Sequence, residues 1–463
     1  MSDTNDGSKS NLFKWIFGSA ALGAVAYRFV ANTQTKQRKP DTPTTVSCPF
    51  TGKTYTIPAE SEADNASVTV RSPSTSSAMT SPSKHNASQS HKGSLVKPRR
   101  GDEPVQYHSY LSLDTVLNAQ KPKSWVEGGT WAHDEHLFIV THQASELWFK
   151  QILHDIGAVM ECMGGPRVEE REMGKILERL RRVSMIQGVL INHLSVLETM
   201  SPLSFLEFRE YLFPASGFQS MQFRQLEVRL GLRRNKRLSY AGTQYDCALT
   251  PEQAEEVREL ESQTSLFELV DQWLARTPVL HTPDFDFWSQ YQQSVRSLLR
   301  EERDAAEKQF ASGRTTESAY QSRLADLATQ VKFFDTFFDR ERYEEQRERG
   351  EYRLSYEACQ AALMINFYQE EPLFQVPYQF LSLLMEIDEQ LGQWRAKHAA
   401  MVHRMLGLKM GTGGSSGYVY LLGTIKHHRI FHELCNLASL MVPRSYLPPL
   451  PESVSKMTTF NTE

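Results

Sequence analysis

Paired cysteines are the first thing this 463-residue chain lacks: its five (Cys48, Cys162, Cys247, Cys359 and Cys435) stand at least 76 residues apart, with no C-x-x-C pair. That excludes a cysteine zinc site and covalent attachment of a c-type haem, and an odd, scattered set is the usage of a reducing compartment. Alternating apolar–polar runs are scarce and no strand–helix–strand rhythm recurs, which argues against a sheet-based fold. No repeat of fixed period is present, so a solenoid is excluded too. The body also lacks basic charge, because the net −4 divides into +7 over residues 1–100 and −11 over the rest. An acidic body argues against a nucleic-acid binder, whose footprint is a basic face; the basic tail suits an anionic membrane surface.

A long charge-free apolar run is missing as well. Leu12 to Val30 is mostly apolar, but Lys14 and Arg28 leave only the 13 residues from Trp15 to Tyr27 uncharged. A membrane span needs about 20 residues unless the flanking charges snorkel, and a signal h-region is shorter. We expect residues 1–35 to be a tail whose residues 12–30 anchor or target the chain, with Arg28, Lys36, Arg38 and Lys39 holding the body on the cytoplasmic side. Cleavage would instead export a body whose cysteines look reduced. Residues 36–103, rich in Ser, Thr, Pro and Asn, read as a disordered linker. The helical body is expected over 104–450 and a C-terminal tail over 451–463.

Helical periodicity predicts elements near 133–163, 169–200, 203–212, 218–231, 251–276, 284–311, 315–348, 354–368, 377–407 and 417–441. The fold class is therefore all-α, a multi-helix domain with a charged hairpin protruding over residues 297–350.

The richest stretch runs from Pro377 to Gly417. Phe380, Leu384, Ile387, Leu391, Trp394, His398, Val402 and Met405 share one face, and every one but His398 is apolar. That histidine is either a hydrogen-bonded core residue, the commoner case, or a ligand to a metal or haem iron. Ala399 and Ala400 after it leave room for a flat group. His403 is rotated by about 140° and falls on another face. Past the helix, the glycine run Gly411 to Gly417 lacks the Lys-Ser/Thr of a phosphate loop, leaving a loop that offers amides and hydroxyls to a polar ligand head.

Earlier in the chain, His136 and His142 beside Glu135 do not have the i, i+4 spacing of a zinc helix. Phe138, His142, Ser145, Phe149 and Ile152 do share a face, placing a second histidine on an inward surface. Arg209 sits one turn from Phe205 on a short aromatic helix, where its fork suits a carboxylate; Glu207 or Glu210 could equally pair with it.

Taken together, four segments resemble the tryptophan 2,3-dioxygenase family of haem enzymes. They are Tyr107-His108-Ser109-Tyr110-Leu111 with Leu117 to Gln120; His133 to Gln143 continuing Glu146 to Leu153; Phe208 to Leu212 with Pro214 to Ser220; and Trp394-Arg395 through His398 and His403 to Gly417. The likeness spans about 104–450. It implies a dioxygenase that inserts O2 across the indole C2–C3 bond of L-tryptophan, giving N-formylkynurenine, the first step of the kynurenine pathway. Also implied is one non-covalent b-type haem per subunit, ferrous when active, ligated by His398, with Ser216, Gly217, Arg224 and Trp394 around it. By the same resemblance Phe138 and Phe205 line the substrate side, His142 hydrogen-bonds the indole nitrogen, Arg209 grips the carboxylate and Thr412 helps hold the amino-acid head. Tyr107 and Tyr110 would enter a neighbouring subunit's pocket in a homotetramer. Two alternatives share these motifs: a haem oxygenase acting on tryptophan or a substituted indole without ring cleavage, and an inactive haem sensor. Ala396 and Lys397 depart from the Tyr-Asn more familiar before the iron ligand.

Overall fold

The computed structural model describes residues 44–47 and 54–57 as backbone strands, then 105–124, 131–239, 244–277, 281–282, 285–407, 409 and 417–451. Residues 12–30, Thr412 and the tail beyond 451 lie outside the described residues. The chain divides into two compact units, Met1–Arg99 and Arg100–Glu463. In the first, β1 (Thr44–Ser47) pairs antiparallel with β2 (Thr54–Ile57), Thr44 opposite Ile57. The sequence reading had assigned no element there, although the two segments are rich in β-branched residues.

The second unit is all-α apart from one two-residue antiparallel pair, His281–Thr282 with Phe285–Asp286. Two short helices, α1 (Tyr107–Tyr110) and α2 (Leu113–Leu117), lead into α3 (His133–Met163) and α4 (Glu170–Leu197). Next come α5 (Pro202–Arg209), α6 (Met221–Leu230), α7 (Pro251–Glu261) and α8 (Leu266–Ala275). The rest are α9 (Phe287–Ala311), α10 (Glu317–Phe338), α11 (Arg340–Glu348), α12 (Tyr356–Phe367), α13 (Pro372–Leu406), α14 (Gly417–His427) and α15 (His432–Asn436).

Three long helices make the frame. Ile152, Ile156, Val159 and Met163 on α3 and Ile176, Leu180 and Val183 on α4 recur at helical spacing and are almost wholly buried, as are Phe380, Leu384 and Ile387 on α13. Each such side chain contributes about 1.5–3 kcal/mol of burial. Behind them α12 is buried on all sides, with Ala358, Ala361 and Ala362 small enough for neighbouring helices to approach closely.

Helix boundaries differ from the periodic reading where side chains compete for backbone amides. The expected helix 251–276 is two, because Ser265 starts α8 with a capping box to Glu268. The expected 315–348 breaks at Asp339, whose carboxylate accepts from the amides of Glu341 and Arg342. The expected 417–441 stops at His427: Ile430 donates its amide to Asp388 at 2.8 Å and Arg429 pairs with the same carboxylate at 2.7 Å, so the chain turns there. Conversely α13 starts at Pro372, five residues early, and runs through Pro377. A proline suits the first helical position, and the buried Phe374 holds that added turn in place.

The protruding hairpin is α9 with α10. Its turn is pinned by Phe310 stacked on Tyr320 at 4.5 Å, and Arg323 pairs with Glu302 at 2.7 Å. No single helix among the described residues is long and apolar enough to cross a membrane.

Candidate functional site

Where α3, α5, α6, α13 and α14 converge they leave a cavity of about 360 Å³, within the range of small-molecule sites. Nine residues singled out from the sequence line it: Phe138, His142, Phe205, Arg209, Ser216, Gly217, Arg224, Trp394 and His398. They come from four separate parts of the chain.

α3 presents Phe138 and His142 one turn apart, their rings 4.1 Å between centroids. The His142 Nδ1 lies 2.7 Å from the Phe138 carbonyl oxygen, which makes it the protonated nitrogen and leaves Nε2 as an acceptor. Burial holds the His142 pKa below its ordinary value, against an opposing pull from that carbonyl. Near neutral pH the ring is therefore an uncharged acceptor beside the cavity.

α13 presents Trp394 and His398, stacked at 5.2 Å with their planes 20° apart. Burial, helped by the charge repulsion of a protonated His142, pushes His398 down to about 4. Its Nδ1 is buried with no hydrogen-bond partner among the described residues. A neutral imidazole at a cavity wall with an unsatisfied nitrogen is a poor core residue and a good metal ligand. His403 is exposed and stacks on Tyr418 at 4.3 Å, away from the cavity. One reading needs correcting: Ala399 is fully buried in the core, Ala400 is exposed, and neither lines the cavity. After His398 it is Met401, Val402 and Met405 of α13 that line the cavity.

α5 carries Phe205 and Arg209 to the cavity, with Phe208 fully buried behind them against Phe138 at 5.5 Å. The following turn is set by Ser216, whose hydroxyl accepts from the Phe218 amide at 3.4 Å while its own amide donates to Gln219 at 3.2 Å. This capping box places Ser216 and Gly217 at the rim.

Tyr107 and Tyr110 are each 75% exposed on α1 and do not line the cavity. Thr412 lies outside the described residues; of the glycine run, Gly417 opens α14 and lines the cavity. Glu135 is engaged with backbone amides. It is fully buried and accepts from the Lys123 and Ser124 amides at 2.6 and 2.9 Å, and no metal-binding cluster occurs among the described residues.

Sequence reasoning missed two polar groups. Glu146, one turn after His142, accepts from Ser220 at 2.6 Å and Gln222 at 2.8 Å, joining α3 to α6. Its spacing on the His142 face was a usable signal. The buried Glu227 binds Arg224 at 2.9 Å, Arg395 at 2.8 Å and Arg237, with the His428 Nδ1 at 3.6 Å. Burial alone would raise its pKa; the guanidinium groups of Arg237 and Arg224 overcome this and hold it well below the usual range. Partners so far apart in sequence left no pattern to read.

The model of the tryptophan 2,3-dioxygenase family matches residues 91–441. Tryptophan 2,3-dioxygenase B of Danio rerio is 46% identical over 366 residues, covering 79% of this chain and 88% of its own. Tryptophan 2,3-dioxygenase of Xenopus laevis is 46% identical over 352 residues, 76% of this chain and 85% of its own. The Alteromonas mediterranea one is 42% identical over 362 residues, 78% of this chain and 99% of its own. The family model's match over most of the chain and this extent of identity place the chain in the tryptophan 2,3-dioxygenase family.

Proposed function

We propose that the chain is a haem-dependent dioxygenase that opens the indole ring of L-tryptophan to give N-formylkynurenine. The observation that carries this reading is the meeting, in one cavity, of two neutral histidines from different helices and an arginine: His398 with an unsatisfied nitrogen, His142 as a fixed acceptor, and Arg209. The residues fit a b-type haem, since His398 is neutral, has aromatic support from Trp394, and faces an apolar cavity whose rim includes Ser216, Gly217 and Arg224. When bound, the haem iron supplies the activation of dioxygen.

The chain's own residues bind and orient. Arg209 receives the substrate carboxylate as a fork, and the Nε2 of His142 accepts the indole N–H, so the two fix the ring at both ends. Phe138 and Phe205 supply its apolar wall and exclude water. Thr412 is assigned to the amino-acid head, and Tyr107 and Tyr110 to the pocket of an adjoining copy in a homotetramer. Their exposure supports this, since an aromatic pair open to solvent on a short helix is typical of a surface awaiting a partner. The four described cysteines are free, which supports a cytoplasmic body.

The test is anaerobic reduction, then admission of air and L-tryptophan, following N-formylkynurenine absorbance. The product should gain two oxygen atoms and carry an aldehyde. A one-oxygen product with the ring intact would reject ring cleavage.

His142 makes its own prediction. His142→Phe removes one hydrogen bond of about 1 kcal/mol, so kcat/KM should fall about five- to tenfold for tryptophan and not at all for an N-methylated indole. Protonation would turn Nε2 from acceptor to donor, and the pKa is depressed. KM should therefore be flat from pH 8 to 7 and rise only below about 6.5, the ordinary histidine value. A KM that rises already above pH 7 would show that His142 is not buried as described.

A further inference from the structure

The contact between α4 and α13 carries a polar seam in an otherwise apolar surround. On α4, Ser184 and Gln187 stand one turn apart; on α13, so do Glu386 and Gln390. The outer end of the seam is satisfied: the exposed Glu386 accepts from the Ser184 hydroxyl at 2.5 Å and from the Gln390 Nε2 at 3.3 Å, and that Nε2 also donates to the Ser184 oxygen at 3.2 Å. The inner end is not. Gln187 is 3% exposed, and neither its Oε1 nor its Nε2 has a hydrogen-bond partner among the described residues. The buried Oε1 of Gln390 has none there either.

Both glutamines line a second, small cavity of about 10 Å³ enclosed by α3, α4, α6 and α13. Phe149, Phe223 and Trp394 line this cavity and the larger one alike, so their rings stand between the two. Its other walls are the aliphatic side chains of Ile152, Leu190, Leu226 and Leu391. A buried amide without a partner forfeits the hydrogen bonds it made to water in the unfolded chain, so native structures satisfy nearly all such groups. A cavity lined by carbon alone stays dry, whereas one of about 10–15 Å³ that meets two or more polar atoms holds a single water molecule. No charged side chain lines this one, which excludes an ion.

We propose that Gln187 and Gln390 hold one internal water molecule that bridges α4 to α13 behind Trp394. The water donates a proton to the Gln390 Oε1 and completes the bridge at either atom of the Gln187 amide, accepting from Nε2 or donating to Oε1. The seam then runs unbroken from Glu386 at the surface to the centre of the bundle. Gln390 lies one turn before Trp394, so the bridge ties down α13 just ahead of the ring that stacks on His398. This site goes beyond the dioxygenase reading and does not depend on haem.

The test is a crystal structure of the full-length chain as purified, at a resolution that shows ordered water, beside that of Gln187→Leu. The wild type should show a density peak about 2.5–3.2 Å from both the Gln390 Oε1 and one atom of the Gln187 amide. In Gln187→Leu the peak should be lost, because α4 no longer offers the water a partner. A wild-type cavity without the peak would overturn the proposal, as would two amides bonded directly to each other or a peak that persists in the variant. Should Gln187→Leu fail to fold, the wild-type map decides alone: the bridging peak supports the proposal and its absence overturns it. A chain that shows no Soret band refutes the haem reading and leaves this test as it stands.

Discussion

Replacing His398 by alanine should abolish the Soret band of the ferric protein titrated with haemin, while His403→Ala should leave it unchanged. The two histidines stand five residues apart on α13, about 140° of rotation, and their surroundings differ accordingly. His398 lines the cavity with its Nδ1 unsatisfied; His403 is exposed and stacked on Tyr418. Removing a group that merely supports a metal ligand costs about 10- to 100-fold in affinity, so loss of the ligand itself should accelerate haem transfer to a scavenging protein by at least about 100-fold. Added imidazole should restore part of the band in His398→Ala, which an unfolded chain could not do. Equal loss in both variants would show that the helix faces are assigned wrongly.

Arg209→Met should lower kcat/KM for L-tryptophan by about 10²- to 10³-fold, the effect of losing a partly buried charge pair of about 3–4 kcal/mol. Most of the change should fall on KM, because the carboxylate is held in the ground state and the transition state alike. Tryptamine, which has the indole but no carboxylate, is the control. It should be a poor substrate of the wild type and no worse for the variant. If the two substrates lose equally, Arg209 supports the fold of α5 and does not bind the carboxylate. Arg209→Lys should recover only part of the loss, since an ammonium is a single point charge where the guanidinium is a fork.

The helices were legible because their cores are local patterns. Ile152, Ile156 and Val159 on α3, or Phe380, Leu384 and Ile387 on α13, announce a buried stripe at helical spacing, and the structure buries them. His398 and His142 were legible for the same reason, as polar residues on inward faces. Breaks were less so: Ser265 and Asp339 end one periodic run and begin another through a side-chain oxygen, which hydrophobic spacing does not register. Small size alone suggested that Ala399 and Ala400 make room beside His398, but neither lines the cavity. Glu227 was invisible because its meaning depends on Arg237, Arg395 and His428, groups that only the tertiary fold brings together.

The separation of those partners constrains how the chain can be made. Glu227 and Arg395 are 168 residues apart, and the wall formed by α3, α5 and α6 leaves the ribosome long before α13 and α14. At roughly 5–20 residues per second, about 10 to 30 seconds of synthesis separate the two halves. During that interval the first half of the cavity is an apolar face without His398, and Glu227 waits for two of the groups that hold it. On the proposed haem reading, cofactor uptake belongs after translation. A nascent chain arrested before residue 428 should present a surface for chaperones, not a site for haem.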